Sequence, residues 1–369
     1  MHYMLSAGEA SGDIHGAALV KALRELDGGA SFTFLGGDAM AAAAGHAPLV
    51  HIRSMAYMGF SEVLRHLPDV RANLRTARAA LSEPTRRPDA LILIDYPSFN
   101  FKLAEEAARH GIPVYYFIPP KVWAWKQWRI RTLRRLCSGI YSILPFEPEF
   151  YARHGMTVEY VGNPSVAEVD EAMTRVTPVV ADKPILALVP GSRVGEIRCN
   201  LPVMARAAQL LADRYTPVIA AAPGIDDALY EEIAPSVHIY RDGSLELMAS
   251  AEVALVTSGT ATLECALAGT PQVACYRANG SRLSYAIMER LLSVRYVTLP
   301  NLILNDEAIP EMLLHRCTPE LLADEVRALA PGSPAREAQL AAYGRMRTLL
   351  GNTPAARTAA QAILASLRR

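Results

Sequence analysis

The sequence predicts an α/β protein built from two Rossmann-like halves, each with a parallel sheet. Three observations carry that expectation. Short apolar runs alternate with longer helical patterns through most of the chain, as in parallel sheets covered by helices. The alternation pauses once, over residues 167–184, where Thr177-Pro178 and Asp182-Lys183-Pro184 read as a linker, and then restarts. The chain has 369 residues, 51% of them hydrophobic, which exceeds the usual size of one core.

In the first half, strands are expected at residues 3–6, 32–35, 90–94, 114–117, 139–143 and 159–161, with helices in most gaps. The second half continues with strands at 185–189, 218–221, 238–240, 253–257 and 272–275. After Pro300 the pattern is helical to the end, and a last helix over 353–367 is long enough to return to the first half. The expected domains are 1–175 plus 353–369, and 176–352, facing each other across a cleft with a site at the carboxyl ends of the strands.

Composition excludes several classes of function. Lysine plus arginine equals aspartate plus glutamate at 37 each, so the whole molecule offers no electrostatic case for nucleic-acid binding. The five cysteines are scattered and lack CxxC spacing, which points to a reducing compartment without structural zinc. The N-terminus lacks a signal-peptide pattern, so a cytoplasmic protein is expected. No apolar run reaches the ~18 residues of a membrane span, which confines any membrane contact to the surface. No sequence feature fixes an oligomeric state.

Two turns carry the strongest functional signal. Leu188-Val189-Pro190-Gly191-Ser192-Arg193 and Val256-Thr257-Ser258-Gly259-Thr260 each read as strand, tight turn and helix. A helix start presents bare N–H groups and the positive end of its dipole, which suit phosphate oxygens. Arg193 adds a fixed charge, and Glu264, further along the second helix, can accept hydrogen bonds from a ribose. Gly191, Ser192, Arg193, Ser258, Gly259, Thr260 and Glu264 are therefore expected around a nucleoside diphosphate. The sequence contains no DxD motif, so no metal or other cofactor is expected, and Arg193 with the amides would neutralise a leaving diphosphate.

The first half supplies two acidic turns. Gly8-Glu9-Ala10-Ser11-Gly12-Asp13 follows the first strand, and its glycines permit close approach of a substrate. Ser11 or Asp13 could equally cap the following helix, and His15 is either a general base or a packing residue. Asp95 ends the apolar run 92–94 and precedes Tyr96-Pro97-Ser98-Phe99-Asn100. There a carboxylate can act as a base or cap a helix starting near Asn100; Pro97, standing between them, favours the base.

All three tryptophans fall in the segment containing Trp123, Trp125 and Trp128, followed by Arg129, Arg131, Arg134 and Arg135. Tryptophan and arginine together suit lipid headgroups or a phosphorylated ligand, or else a solvated helix face. Residues 55–67, with Met58, Phe60, Val63 and Leu64, are core if docked inward and a lipid-facing patch if exposed.

Eight ordered motifs resemble the lipid-A-disaccharide synthase family: AGEASGD at 7–13, MGFSEVL at 58–64, IDYPSFN at 94–100, VWAW at 122–125, LPFE at 144–147, PGSR at 190–193, SGTATLE at 258–264 and LPN at 299–301. The resemblance implies an inverting glycosyltransferase of GT-B fold. It would transfer 2,3-diacylglucosamine from UDP-2,3-diacylglucosamine to the 6-hydroxyl of 2,3-diacylglucosamine 1-phosphate, giving a β-1,6 disaccharide and UDP.

On that resemblance the second domain holds UDP, with Asn301 lining the same cleft. Asp95 matches the family's candidate base, with Glu9 as the other acid. Gly8, Ser11, Gly12, Asp13 and Asn100 are implied at the acceptor or sugar. Met58, Phe60, Val63, Leu64, Trp123 and Trp125 would meet acyl chains or membrane, and the protein would sit peripherally on the cytoplasmic face of the inner membrane. The chain departs from the family at Pro119, where serine is usual, and at Asn163, where a GHP triplet is common. Two alternatives stand beside this reading: another UDP-sugar enzyme of the same fold, such as a UDP-N-acetylglucosamine 2-epimerase, and a non-catalytic nucleotide-binding scaffold at a membrane.

Overall fold

In the computed structural model, residues 1–55, 67–85, 87–277 and 295–369 are described. The chain divides into two units, Met1–Pro164 with Asn352–Arg369, and Ser165–Gly351.

The first unit is organised by a parallel sheet of β1 (His2–Ala7), β2 (Ser31–Gly36), β3 (Val50–His51), β4 (Ala90–Ile94), β5 (Val114–Phe117), β6 (Gly139–Ser142) and β7 (Glu159–Tyr160). Their order is β3-β2-β1-β4-β5-β6-β7. Every residue of β4 is buried, as an uninterrupted Ala-Leu-Ile-Leu-Ile run requires of a strand covered on both faces. The connecting helices are α1 (Ala10–Leu26), α2 (Asp38–Ala44), α3 (Leu67–Ser82), α4 (Pro97–Arg109), α5 (Arg129–Leu136) and α6 (Glu147–Arg153). One core joins the sheet to α1 and α2, and a second fills the opposite face under α3 and α4.

The second unit opens with α7 (Pro164–Met173). Its parallel sheet contains β8 (Ile185–Val189), β9 (Thr216–Ala220), β10 (His238–Tyr240), β11 (Val253–Thr257), β12 (Gln272–Tyr276) and β13 (Glu311–Leu313), in the order β10-β9-β8-β11-β12-β13. Among the described residues its other helices are α8 (Val194–Gln209), α9 (Asp227–Ile233), α10 (Ser244–Ser250), α11 (Thr260–Leu267), α12 (Leu299–Leu304), α13 (Pro319–Ala328) and α14 (Pro334–Leu350). The final helix, α15 (Ala355–Leu367), belongs to the first unit, as its length suggested. Ala359, Ala360, Ile363 and Leu364 enter that core, Arg357 pairs with Glu25 at 2.7 Å, and the Tyr115 hydroxyl donates to Ser366 at 2.9 Å. Full burial of Ile363 and Leu364 alone contributes on the order of 1.5–3 kcal/mol each.

Three expectations need correction. The stretch 167–184 is not wholly a linker: α7 buries Val166 and Val169, and Asp170 pairs with Arg347 of α14 at 2.7 Å. This places the first boundary after Pro164 instead of near 175. The chain after Pro300 is not all helical, because β13 pairs with β12. The short edge strand β3 was also unforeseen; two residues give no periodicity to read.

Candidate functional site

In each sheet the strand order reverses between one central pair, β1 with β4 and β8 with β11. The crevice at the carboxyl ends of such a pair is where open α/β sheets bind ligands. Ala7 is in register with Ile94, so the turns after β1 and β4 lie side by side. Val189 is in register with Val256, which does the same for the two turns of the second unit. All four sequence-selected turns therefore occupy the switch points of their own sheets.

Asp95 and Tyr96 both have left-handed backbones, with φ of 44° and 47°. Such geometry costs about 1–3 kcal/mol per residue and persists only where surroundings enforce it. Several bonds enforce it here. Asn100, fully buried, donates from Nδ2 to the Asp95 carbonyl at 2.7 Å and the Ile94 carbonyl at 3.3 Å, and accepts the Ser6 hydroxyl at 2.7 Å. The Tyr116 hydroxyl donates to the Asp95 carbonyl at 2.7 Å, and the Asp95 amide donates to the Ile118 carbonyl at 3.2 Å. Asn100 thus fixes the turn from beneath, which corrects its expected place at a sugar.

Asp95 does not cap α4, which starts at Pro97 with Tyr96 as its uncapped N-cap residue. Its side chain reaches solvent yet is crowded by protein. That crowding raises its pKa, opposed by the charge of Lys121 and by the Tyr96 amide.

The turn after β1 wraps around Tyr96. A Cβ on Gly8 would fall 2.2–2.6 Å from three Tyr96 ring atoms, so only glycine admits that ring. The Tyr96 hydroxyl donates to the Met55 carbonyl at 2.9 Å, and burial, with the nearby charge of Glu9, raises its pKa. Glu9 is half-buried and Ser11 exposed, while Gly12 and Asp13 are buried. The Asp13 carboxylate accepts the amides of Gly37, Ala39 and Met40 at 2.6, 2.9 and 3.1 Å. It caps α2 and not its own helix, a role set by the tertiary fold that replaces the expected contact with sugar. Burial pushes the His15 imidazole down to about 4, so it is neutral at physiological pH.

At the β8 turn, Arg193 is the N-cap residue of α8, and Glu196 reaches back to it. Ser192 N–H donates to Glu196 Oε2 at 3.1 Å and Arg193 Nη1 to Oε1 at 2.8 Å. The amides expected to be bare are thus partly engaged, in the manner of a capping box. Gly191, at φ 115°, passes directly over the Glu196 side chain. Buried Asn200 ties this turn to the end of β12, donating to the Pro190 carbonyl at 3.3 Å and accepting the Arg277 amide at 2.7 Å.

The β11 turn is more open. No side chain caps α11 at Gly259, Gly259 and Thr260 are exposed, and Ser258 is half-buried. Glu264 is half-buried on the same helix, and burial, reinforced by the charge of Glu168, raises its pKa.

Asn301 is fully buried and does not line a ligand surface. It donates to the Ile309 carbonyl at 2.9 Å and Glu311 Oε1 at 3.0 Å, and accepts the Ile309 amide at 2.9 Å. Glu311 in turn accepts the Thr298 amide at 2.9 Å, so this pair joins the start of α12 to β13.

The tryptophans separate. Trp123 is 7% exposed, packs edge-on against Phe146, and donates its indole N–H to Glu147 Oε1 at 2.8 Å, which removes it from any membrane face. Trp125 and Trp128 are 52% and 66% exposed. Lys126 Nζ lies 4.0 Å from the Trp125 ring centre. Met58, Phe60, Val63 and Leu64 lie outside the described residues. Asn163, at one family departure, is buried and donates to the Ile143 carbonyl at 2.9 Å; Pro119, at the other, is also buried.

Sequence reasoning missed Tyr96, Lys121, Asn200 and Glu147 as parts of these sites. Of these only Glu147, an acid following an apolar strand within LPFE, carried a readable signal. It is 2% exposed, it also accepts the Ser142 hydroxyl, and burial pushes its acid up to about 7. Among the described residues no group of three or more His, Cys, Asp or Glu side chains is placed to hold a metal ion, and no helix is long and apolar enough to cross a membrane.

Two doubly wound units in one chain, each with polar turns at its switch point, define the architecture called the GT-B fold. Solved structures agree on the fold. A UDP-GlcNAc 2-epimerase from Neisseria meningitidis bound to UDP-GlcNAc superposes with a TM-score of 0.65 at 12% identity, covering 100% of both chains. The calicheamicin glycosyltransferase CalG4 gives 0.63 at 17% identity, covering 100% of this chain and 98% of its own.

Sequence decides between such branches. Residues 3–364 match the family described as lipid-A-disaccharide synthetase, and the chain belongs to that family. A lipid-A-disaccharide synthase from Myxococcus xanthus is 39% identical over 374 residues, covering 98% of this chain and 96% of the relative. The protein is accordingly a glycosyltransferase.

Proposed function

We propose that the protein transfers 2,3-diacylglucosamine from UDP-2,3-diacylglucosamine to the 6-hydroxyl of 2,3-diacylglucosamine 1-phosphate, with inversion. What carries this reading is the family match across residues 3–364, with the family's motif turns falling at the switch points of both sheets.

In the proposed reaction Asp95 accepts the proton of the acceptor 6-hydroxyl as its oxygen attacks C1 of the donor sugar. The C1–O bond to the diphosphate breaks and UDP departs with the bonding electrons. Inversion requires the base on the face opposite the leaving group. Crowding supports the role, since a raised carboxylate pKa brings its basicity toward that of a working general base. Glu9, across the neighbouring turn, orients the sugar or serves as the alternative base.

The second unit receives UDP. The open start of α11 supplies amides for phosphate oxygens, Arg193 retains donors beyond the one given to Glu196, and Glu264 accepts ribose hydroxyls. These groups neutralise UDP without a metal or other cofactor. The exposed Trp125 and Trp128, with five cationic side chains and no acidic one over residues 125–135, face anionic lipid on the cytoplasmic side of the inner membrane. Met58, Phe60, Val63 and Leu64 are proposed to meet the acyl chains.

The test is turnover by purified protein. Native protein should form the β-1,6 disaccharide and UDP, and leave UDP-N-acetylglucosamine unepimerised. Asp95→Asn should lower kcat by about 10²–10⁴-fold, the usual contribution of a general base. No product from the native protein would overturn the reaction, and full activity in the variant would remove Asp95 as the base.

A further inference from the structure

Lys121 stands beside the proposed base on a short span held at both ends. At one end, Ile118 donates its amide to the Tyr141 carbonyl at 3.0 Å and accepts the Asp95 amide at 3.2 Å, which binds it to the Asp95 turn. Two prolines follow, and their fixed φ leaves the chain little freedom before Lys121. Immediately beyond Lys121 the backbone tightens, Val122 N–H donating to the Pro120 carbonyl at 2.6 Å and Ala124 N–H to the Lys121 carbonyl at 3.1 Å. At the far end, Val122 and Trp123 are buried, and Glu147 grips the Trp123 indole. The Lys121 side chain is exposed, and among the described residues it makes no hydrogen bond or ion pair. Its charge is felt by both Asp95 and Glu147. An unpaired lysine on so constrained a span, three residues beyond the backbone bond to Asp95, is placed to meet an anionic group of whatever occupies the proposed base.

We propose that Lys121 recognises the phosphate monoester of the acceptor, as a specificity-determining residue, and that Glu147 acts as a positioning residue by fixing Trp123 and hence the span. The inference rests on the transfer reaction proposed above, where the acceptor carries such a phosphate. The ammonium is a compact point charge with three donors, suited to a phosphate whose oxygens rotate freely. It leaves the 6-hydroxyl, carried from C5 across the ring oxygen from the phosphate-bearing C1, free to face Asp95.

The experiment compares native protein, Lys121→Met and Lys121→Arg on two acceptors, 2,3-diacylglucosamine 1-phosphate and the same compound lacking phosphate. Turnover of the phosphorylated acceptor by native protein tests the reaction itself; only the differences among variants test Lys121. Lys121→Met should raise KM for the phosphorylated acceptor by about 10- to 100-fold with kcat little changed, the worth of a charge-assisted hydrogen bond. It should leave KM for the dephosphorylated acceptor unchanged, and Lys121→Arg should recover most of the loss. Glu147→Ala should reproduce part of the KM effect, and Glu147→Gln, which keeps an acceptor for the indole, should not. Equal loss on both acceptors, with the pH–rate limb of Asp95 displaced, would overturn the assignment in favour of a direct effect on the base. Weakened UDP binding would reassign Lys121 to the donor. Reduced sedimentation with phosphatidylglycerol vesicles at unchanged KM would reassign it to lipid, overturning the proposal.

Discussion

Replacing Glu147 with glutamine isolates the energetic consequence of burying a carboxyl group behind Trp123. Burial pushes this acid up to about 7 from 4.5, against the opposing effects of Ser142, Trp123 and Lys121. The residue is 2% exposed, so solvent screens the effect little. Unfolded, the group loses its proton near pH 4.5; folded, it keeps it until about pH 7. Between those values the folded state binds more protons than the unfolded state, so stability falls as pH rises. The loss begins above the unfolded value and is complete once pH passes the folded one. At about 1.4 kcal/mol per unit, the interval corresponds to about 3 kcal/mol. An amide in this position cannot ionise, yet it accepts from the indole and donates toward Ser142. Glu147→Gln should therefore match native stability closely at pH 5 and exceed it by about 3 kcal/mol at pH 8. Urea unfolding followed by tryptophan fluorescence reads the first unit specifically, because Trp123, Trp125 and Trp128 all lie there. With urea slopes of ~1–3 kcal/mol per molar, the variant's midpoint should gain about 1–3 M over the native protein between those pH values. Midpoints that change with pH in parallel for the two proteins would refute the reasoning.

Two further changes test the packing at each switch point or behind it. Gly8→Ala drives a methyl group into the Tyr96 ring, and overpacking of this kind destabilises by about 1–3 kcal/mol. In a Tyr96→Ala background the same change should be nearly neutral in thermal unfolding, and an undiminished penalty there would show that the ring is not what requires glycine. Asn301→Ala orphans the Ile309 amide and carbonyl and removes a donor from Glu311, an expected loss of about 3 kcal/mol. UDP affinity, measured by calorimetry on the folded variant, should stay unchanged; a tenfold loss would restore Asn301 to the ligand surface.

The sequence was most legible where one periodicity dominated. Uniform apolar runs such as 90–94 and 253–257 admit only a buried strand, and each stands in the structure as expected. The small elements β3 and β13 were not legible, because two or three residues carry no period and their pairing is decided by the neighbouring strand. At the candidate sites, position along the chain was legible and the direction of each side chain was not. Asp95, Asn100, Asp13 and Asn301 all looked like polar residues at strand or helix ends. Asp95 emerges toward solvent because the left-handed pair at 95 and 96 turns the chain outward. Asn100 and Asp13 turn inward to satisfy backbone groups of β4 and α2, which are remote or unpaired in sequence terms.

The same asymmetry explains why Glu147 was not read as part of a site. Glu196 caps its turn through the Ser192 amide, and Glu147 is held by an indole from another segment, a contact that no local pattern announces. Polar residues that build a site and polar residues that use it share one vocabulary, and burial separates them. The builders, Asn100, Asp13, Asn200, Asn301 and Glu147, are 5% exposed or less, whereas Asp95, Arg193 and Lys121 reach solvent. The residues proposed to handle substrate are those for which the fold has left no complete set of internal partners.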